Sequence, residues 1–213
     1  MSQRVLTLDL SYMMSPAIHR YEDWVNSNWS SEIQQWEMMG KKLGWYPIAC
    51  RRRRDYLLRV LRRALPNLKS KDQVLFVRYQ NEILDHIDSK RTLIIDNVDQ
   101  SHDIYYVNQT TPDMVCENNW VWWADRAGCL SSYRWFSNRN SIKYDNYMPL
   151  GCQFSYVSDR RRMPMSDPDL IIICESPFWV PPQERTLFRT MRREIDSYFR
   201  GAECNENTKT VHL

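Results

Sequence analysis

Apolar residues recur along the chain with two periods. "VLTLDLSYMM" (5–14) is apolar up to an aspartate and reads as a buried strand followed by a loop. "DQVLFVRYQ" (72–80) and "RTLIIDNVD" (91–99) read as further strands, the second β-branched and apolar until its polar end. "LSSYRWFS" (130–137), "CQFSYVS" (152–158) and "DPDLIIICESPFW" (167–179) complete the set, and the last breaks at Ser176-Pro177. Helical spacing governs the rest. In "SSEIQQWEMMGKKLGW" (30–45), Ile33, Trp36 and Leu43 share a face, and Ser30 or Ser31 can cap it. In "RRRRDYLLRVLRRALP" (51–66), Leu57, Leu58, Leu61 and Leu65 form a stripe that Pro66 ends. "NWVWWADRAG" (119–128) opens as a helix and stops at Gly128. "PPQERTLFRTMRREIDSYFRG" (181–201) starts on proline, lines Leu187, Met191 and Ile195 along one face, and stops at Gly201. Strands alternating with amphipathic helices predict an α/β fold. The expectation is a single domain over 1–201 with a mostly parallel central sheet flanked by helices, followed by a polar tail over 202–213.

Composition narrows the setting. The chain has 213 residues, 43% of them hydrophobic, which suffices for one substantial core. Nothing approaches 18 consecutive apolar residues, so no membrane-spanning helix is expected, and the first residues read as a strand, not a secretion signal. The six cysteines form no Cys-x-x-Cys pair, which predicts reduced thiols in a cytoplasmic protein. The net charge of +3 is modest. It is unevenly placed: seven arginines stand between residues 51 and 63 against one aspartate. They suit a solvated helix face, or a patch for an acidic peptide such as the leader of a precursor peptide. Nucleic acid ranks below these, because no recognition motif accompanies the arginines.

Parallel sheets gather ligands at the carboxyl ends of their strands. Asp9 follows "VLTL", the cluster from Asp96 to Asp103 follows "TLII", and Glu175 follows "LIIIC". Asp85-His86 lies in the segment after "VLFVRYQNEIL". Hard divalent cations take carboxylate oxygens, and manganese, iron and zinc add an imidazole. Asp9, His86, Asp99 and Asp103 would supply three carboxylates and one imidazole. The same residues also have ordinary uses: Asp99 with Ser101 can build a turn, and Asp9 can cap a helix. For Trp120, Trp122, Trp123 and Trp135 core packing is the default. Yet "WVWW" sends adjacent tryptophans to different sides of any element, so at least one should lie near the surface, where it could stack on a guanidinium.

Taken together, "LTLDLSY", "DH" at 85–86, "IIDNVDQSHDIYY", "ENNWVWW", "YRWFSN" and "DLIIICESPFWVPP" resemble the ureohydrolase superfamily of arginases and deacetylases. The closer similarity is to a small branch that includes peptide arginases, which convert arginine side chains of ribosomal peptides to ornithine and urea. The resemblance implies an arginase-like domain and a two-manganese pattern of Asp-x-His-x-Asp, Asp-x-Asp and a lone His. Carried onto this chain, Asp99, Ser101 and Asp103 occupy the first motif, Asp9 and Ser11 the second, and His86 the third. Two ligand positions are therefore serine. Both belong to one metal, so the pattern implies one Mn²⁺ held by Asp9, His86, Asp99 and Asp103 and a second site emptied. It further implies attack of a metal-activated water on a peptidyl guanidinium, with His102 or His19 as general acid. Glu175 would grip the guanidinium, and Trp120 and Trp123 would line the peptide. Two other readings remain open: a non-catalytic relative that binds a peptide or protein, and different chemistry, such as redox at iron, at a one-metal site.

Overall fold

The computed structural model describes residues 2–15, 32–43, 48–87, 90–104, 115, 119–138, 141, 149–159 and 161–209. Its centre is a six-stranded sheet in which every neighbouring pair is parallel. The strands are β1 (Ser2–Asp9), β4 (Val74–Val77), β5 (Thr92–Val98), β6 (Leu130–Phe136), β7 (Gln153–Val157) and β8 (Leu170–Cys174), in the order β4-β8-β1-β5-β6-β7. A short antiparallel pair, β2 (Met14–Ser15) with β3 (Ile48–Ala49), lies apart from it.

Alternation along β1 assigns the two faces. Leu6, Leu8 and Leu10 enter one core with α2 (Arg51–Ala64) and α4 (Thr186–Lys209). Val5 enters the other, with α3 (Trp120–Arg126) and the 3₁₀ helix Gln80–Asp85. Helices thus cover both faces, which is why β8 can be apolar and buried at all five positions. From β1 the chain crosses to β4 on one side of the sheet, and from β5 it steps to β6 and β7 on the other. Crossovers that diverge in this way leave a crevice outside the carboxyl ends of β1 and β5, where such folds bind ligands.

The α/β expectation is met, and its boundaries move. The first strand ends at Asp9, where a 3₁₀ turn over Leu10–Met13 takes over. Pro66 sits in a 3₁₀ turn (Leu65–Asn67) that extends α2. A separate 3₁₀ turn at Pro182–Glu184 precedes α4. Gly201 does not stop α4: the helix continues to Lys209, because glycine costs a helix only about 1 kcal/mol. Gly128 does end α3, with φ +72°. The expected caps Ser30 and Ser31 lie outside the described residues, as α1 begins at Glu32 and runs to Leu43. Cys50, Cys129, Cys152 and Cys174 are free thiols.

Candidate functional site

The central strands deliver three acids to one neighbourhood. Asp9 is the last residue of β1, and Asp99 and Asp103 follow β5. All three are buried, with at most 1% of their surface exposed. One oxygen of Asp9 accepts from the Ser11 amide at 2.6 Å, so Asp9 caps the 3₁₀ turn behind it; the other accepts from the Ser176 hydroxyl, just beyond β8. Asp99 accepts from Ser11 Oγ at 2.6 Å, Gln80 Nε2 at 2.6 Å and the Gln100 amide at 2.5 Å. Asp103 Oδ2 accepts from Asn97 Nδ2 at 3.1 Å and Trp120 Nε1 at 2.9 Å, while its Oδ1 has no donor. Asp99 and Asp103 also lie close enough for each carboxyl to act on the other.

Every donor to this cluster among the described residues is neutral. Burial therefore raises all three carboxyls above the usual carboxylate range, and the charge of Asp99 pushes Asp9 and Asp103 further up. The backbone is strained at the same place. Asp103 (φ +56°) and Ser176 (φ +50°) are the two non-glycine residues with positive φ among those described, and both touch the cluster. A second layer holds the first. The Tyr133 hydroxyl accepts a hydrogen bond from Asn97 Nδ2 at 2.8 Å and donates to the His102 carbonyl at 3.0 Å. Thr7 donates to Asn97 Oδ1, and Trp135 Nε1 donates to the Asp99 carbonyl at 3.1 Å.

The other expected site residues lie elsewhere. His86 is exposed, capping the carboxyl end of the 3₁₀ helix, and none of the cluster's hydrogen bonds involves it. The helix supplies Gln80 at its opposite end, so the segment reaches the acids with an amide and leaves its imidazole in water. His102 is buried edge-on to Trp135, 5.4 Å between ring centres. Its Nδ1 accepts from the Ile104 amide at 3.0 Å, and burial lowers its pKa to about 4. An imidazole neutral at pH 7 with that nitrogen engaged is poorly suited to deliver a proton there. Glu175 is half-buried and falls in alternation with Ile171 and Ile173, on the α2 and α4 face and away from the acids. Trp120 is fully buried and holds Asp103, so it does not line a peptide surface. Trp123 is half-buried against Trp122, whose ring is covered by Arg126 at 5.4 Å. His19 lies outside the described residues.

Ser176, Gln80, Asn97 and Tyr133 were not anticipated. The sequence carries a signal for Ser176 alone, the break of an apolar strand at Ser-Pro. Recognising it requires knowing that β8 lies beside β1.

Three buried carboxylates with no basic partner among the described residues suit one hard cation chemically. The imidazole implied by the resemblance is not part of the set. As the side chains stand, neutral donors engage the acids, and among the described residues no group of three or more His, Cys, Asp or Glu is assembled into a metal site. Ser11 and Ser101 do sit among the acids: Ser11 donates to Asp99, and Ser101 Oγ accepts from the Asp103 amide at 3.3 Å. Comparison with protein-family models, curated proteins and solved structures finds no match. Among the described residues no helix is long and apolar enough to cross a membrane.

Proposed function

We propose that the chain is a metal-dependent hydrolase of arginase type that acts on arginine in a peptide, with Asp9, Asp99 and Asp103 as the ligands of one divalent ion. One observation carries the reading: three aspartates converge in the crevice between β1 and β5, buried and without a base among their described partners. Burying carboxylates in this way is costly unless they are neutralised by protons or by a cation. An ion bound there would supply a Lewis acid and a water of lowered pKa. The protein's own share is to hold the carboxyls in place: Ser176 and Ser11 on Asp9, Gln80 on Asp99, and Trp120 and Asn97 on Asp103. The reaction adds water to the guanidinium carbon and yields ornithine and urea.

The exposed position of His86 favours a second reading, in which the cation is the guanidinium of a bound peptide and nothing is hydrolysed. A cluster of carboxylates suits a guanidinium, which donates to paired oxygens in plane. The two are separated by incubating the protein with Mn²⁺ and an arginine-containing peptide. The hydrolase reading expects the peptide to lose CH2N2 while urea accumulates, with free arginine a poor substrate. Peptide binding without turnover, competed by Mn²⁺, would establish the binding reading instead. If neither ion nor peptide binds, and Asp99→Asn changes nothing, the cluster is structural and both readings fall.

A further inference from the structure

The arginine run resolves into separate duties once α2 is in place. Arg53 is buried and donates to the Met14 carbonyl, which ties α2 to the segment leaving β1. Arg62 pairs with Glu194 through two hydrogen bonds of 2.8 and 2.6 Å. Arg52 and Arg59 do neither. They line a cavity of about 210 Å³ with Arg53, Asp55, Tyr12 and Tyr56, and among the described residues no carboxylate pairs with Arg52. Tyr12 and Tyr56 stack with ring centres 5.4 Å apart, and the Arg59 guanidinium lies 5.9 Å from the Tyr56 ring.

We infer that this cavity is a binding subsite for an oxyanion, and specifically for the carboxylate of an acidic side chain in a peptide. Three guanidinium groups against the single carboxylate of Asp55 leave the lining net positive, and exposed arginines are suited to paired contacts with a carboxylate. The two tyrosine rings supply apolar surface for the methylenes between a carboxylate and its backbone, which a phosphate ion lacks. The first turn of α2 carries no acid that would oppose an incoming anion. The cavity also lies close to the acidic crevice along the chain: Tyr12 is the residue after Ser11, which donates to Asp99. The subsite itself does not depend on the hydrolase reading.

Calorimetric titration of the full chain tests the inference, using a blocked three-residue peptide centred on glutamate, its glutamine counterpart and inorganic phosphate. The glutamate peptide should bind at least tenfold tighter than the glutamine peptide. Arg52→Glu should abolish that preference and Arg59→Gln should weaken it. Both positions are exposed, so folding is not at stake. Arg63→Glu, on the same helix but outside the cavity, should keep the preference, as should Asp103→Asn in the acidic crevice. Equal binding of the two peptides, or equal loss with Arg63→Glu, would overturn the subsite. Phosphate binding more tightly than the glutamate peptide would overturn the carboxylate assignment.

Discussion

Asp96 and Asp99 stand three residues apart at the end of β5, both shut off from water and on opposite faces of the sheet. Asp96 is fully provided for. Arg134 on the neighbouring strand grips both its oxygens at 2.6 and 2.5 Å, and the Met165 amide donates at 2.6 Å. Asp99, with Asp9 and Asp103 beside it, receives hydroxyl, amide and indole donors and no guanidinium or ammonium among the described residues. A fold that needed acids only for structure could treat both faces alike. The difference marks Asp96 as one half of an ion pair and the cluster as three buried acids whose donors among the described residues are all neutral.

The largest effect should come from breaking the completed pair. Asp96→Asn removes the charge opposite Arg134 and halves its acceptors in a buried setting. The unfolding free energy should fall by about 3 kcal/mol in urea titration. The partly exposed Arg134 can turn to water, which keeps the loss at the lower end for such pairs. A change under about 1 kcal/mol would erase the contrast between the two faces.

The comparison also shows what could be read from sequence. The strands and their termination at acids were legible, because apolar runs and polar ends are local signals. Asp9, Asp99 and Asp103 were identified for that reason. His86 was not placed correctly, because the 3₁₀ helix after β4 sets Gln80, at its near end, on Asp99 and carries His86 to its far, exposed end, and nothing local distinguishes the two in that role. Ser176 was missed by one residue in favour of Glu175, because which residue of a strand end faces the crevice depends on alternation and on the positive φ at Ser176. The pairing of β8 with β1, far apart in sequence, was not legible at all. Nor was the division of labour within the arginine run, since buried Arg53 and exposed Arg52 are adjacent and chemically alike.

His102 gives the next largest effect. It is a base held uncharged beside the acids, with a pKa lowered to about 4 from an ordinary value near 6.5. As pH falls, the unfolded chain takes up the proton first, so the stability tied to neutral His102 is present above about 6.5 and is lost towards 4. At pH 5 the loss is about 2 kcal/mol. His102→Asn keeps an oxygen able to accept from the Ile104 amide and cannot titrate. The wild type should therefore lose about 2 kcal/mol more than this variant between pH 7 and pH 5. Parallel curves would show that His102 is not held neutral.

Asp103→Asn should act in the opposite sense to Asp96→Asn. Burial and the charge of Asp99 raise the folded-state pKa of Asp103, so folding favours its protonated form. Stability is then complete below the usual carboxylate range and is lost as pH rises through the raised value. Asparagine keeps the shape, tolerates the left-handed backbone at φ +56°, and can donate to Asp99. Without divalent ions the variant should be more stable than wild type by about 1–2 kcal/mol at pH 7. Addition of Mn²⁺ should raise the melting temperature of the wild type more than that of the variant. Destabilisation by Asp103→Asn in chelator would mean that the cluster already has a counter-charge.

The smallest effect separates a hydroxyl that merely packs from one that stands in for a cation. Ser11 Oγ donates to Asp99 Oδ1 at 2.6 Å, and nothing else at that oxygen except the Gln100 amide compensates its charge. Ser11→Ala removes the donor and leaves the Ser11 amide on Asp9 intact, because that bond belongs to the backbone. In chelator the variant should lose about 0.5–1 kcal/mol, the net worth of one hydrogen bond. In saturating Mn²⁺ the expectation changes. An ion on Asp99 would meet the charge that the hydroxyl now meets, so the difference between variant and wild type should shrink towards zero. Titrating both proteins with urea, with and without Mn²⁺, measures the change directly. If the loss is the same in both conditions, the hydroxyl and the ion do not act on the same carboxylate, and Asp99 would have to be removed from the proposed ligand set.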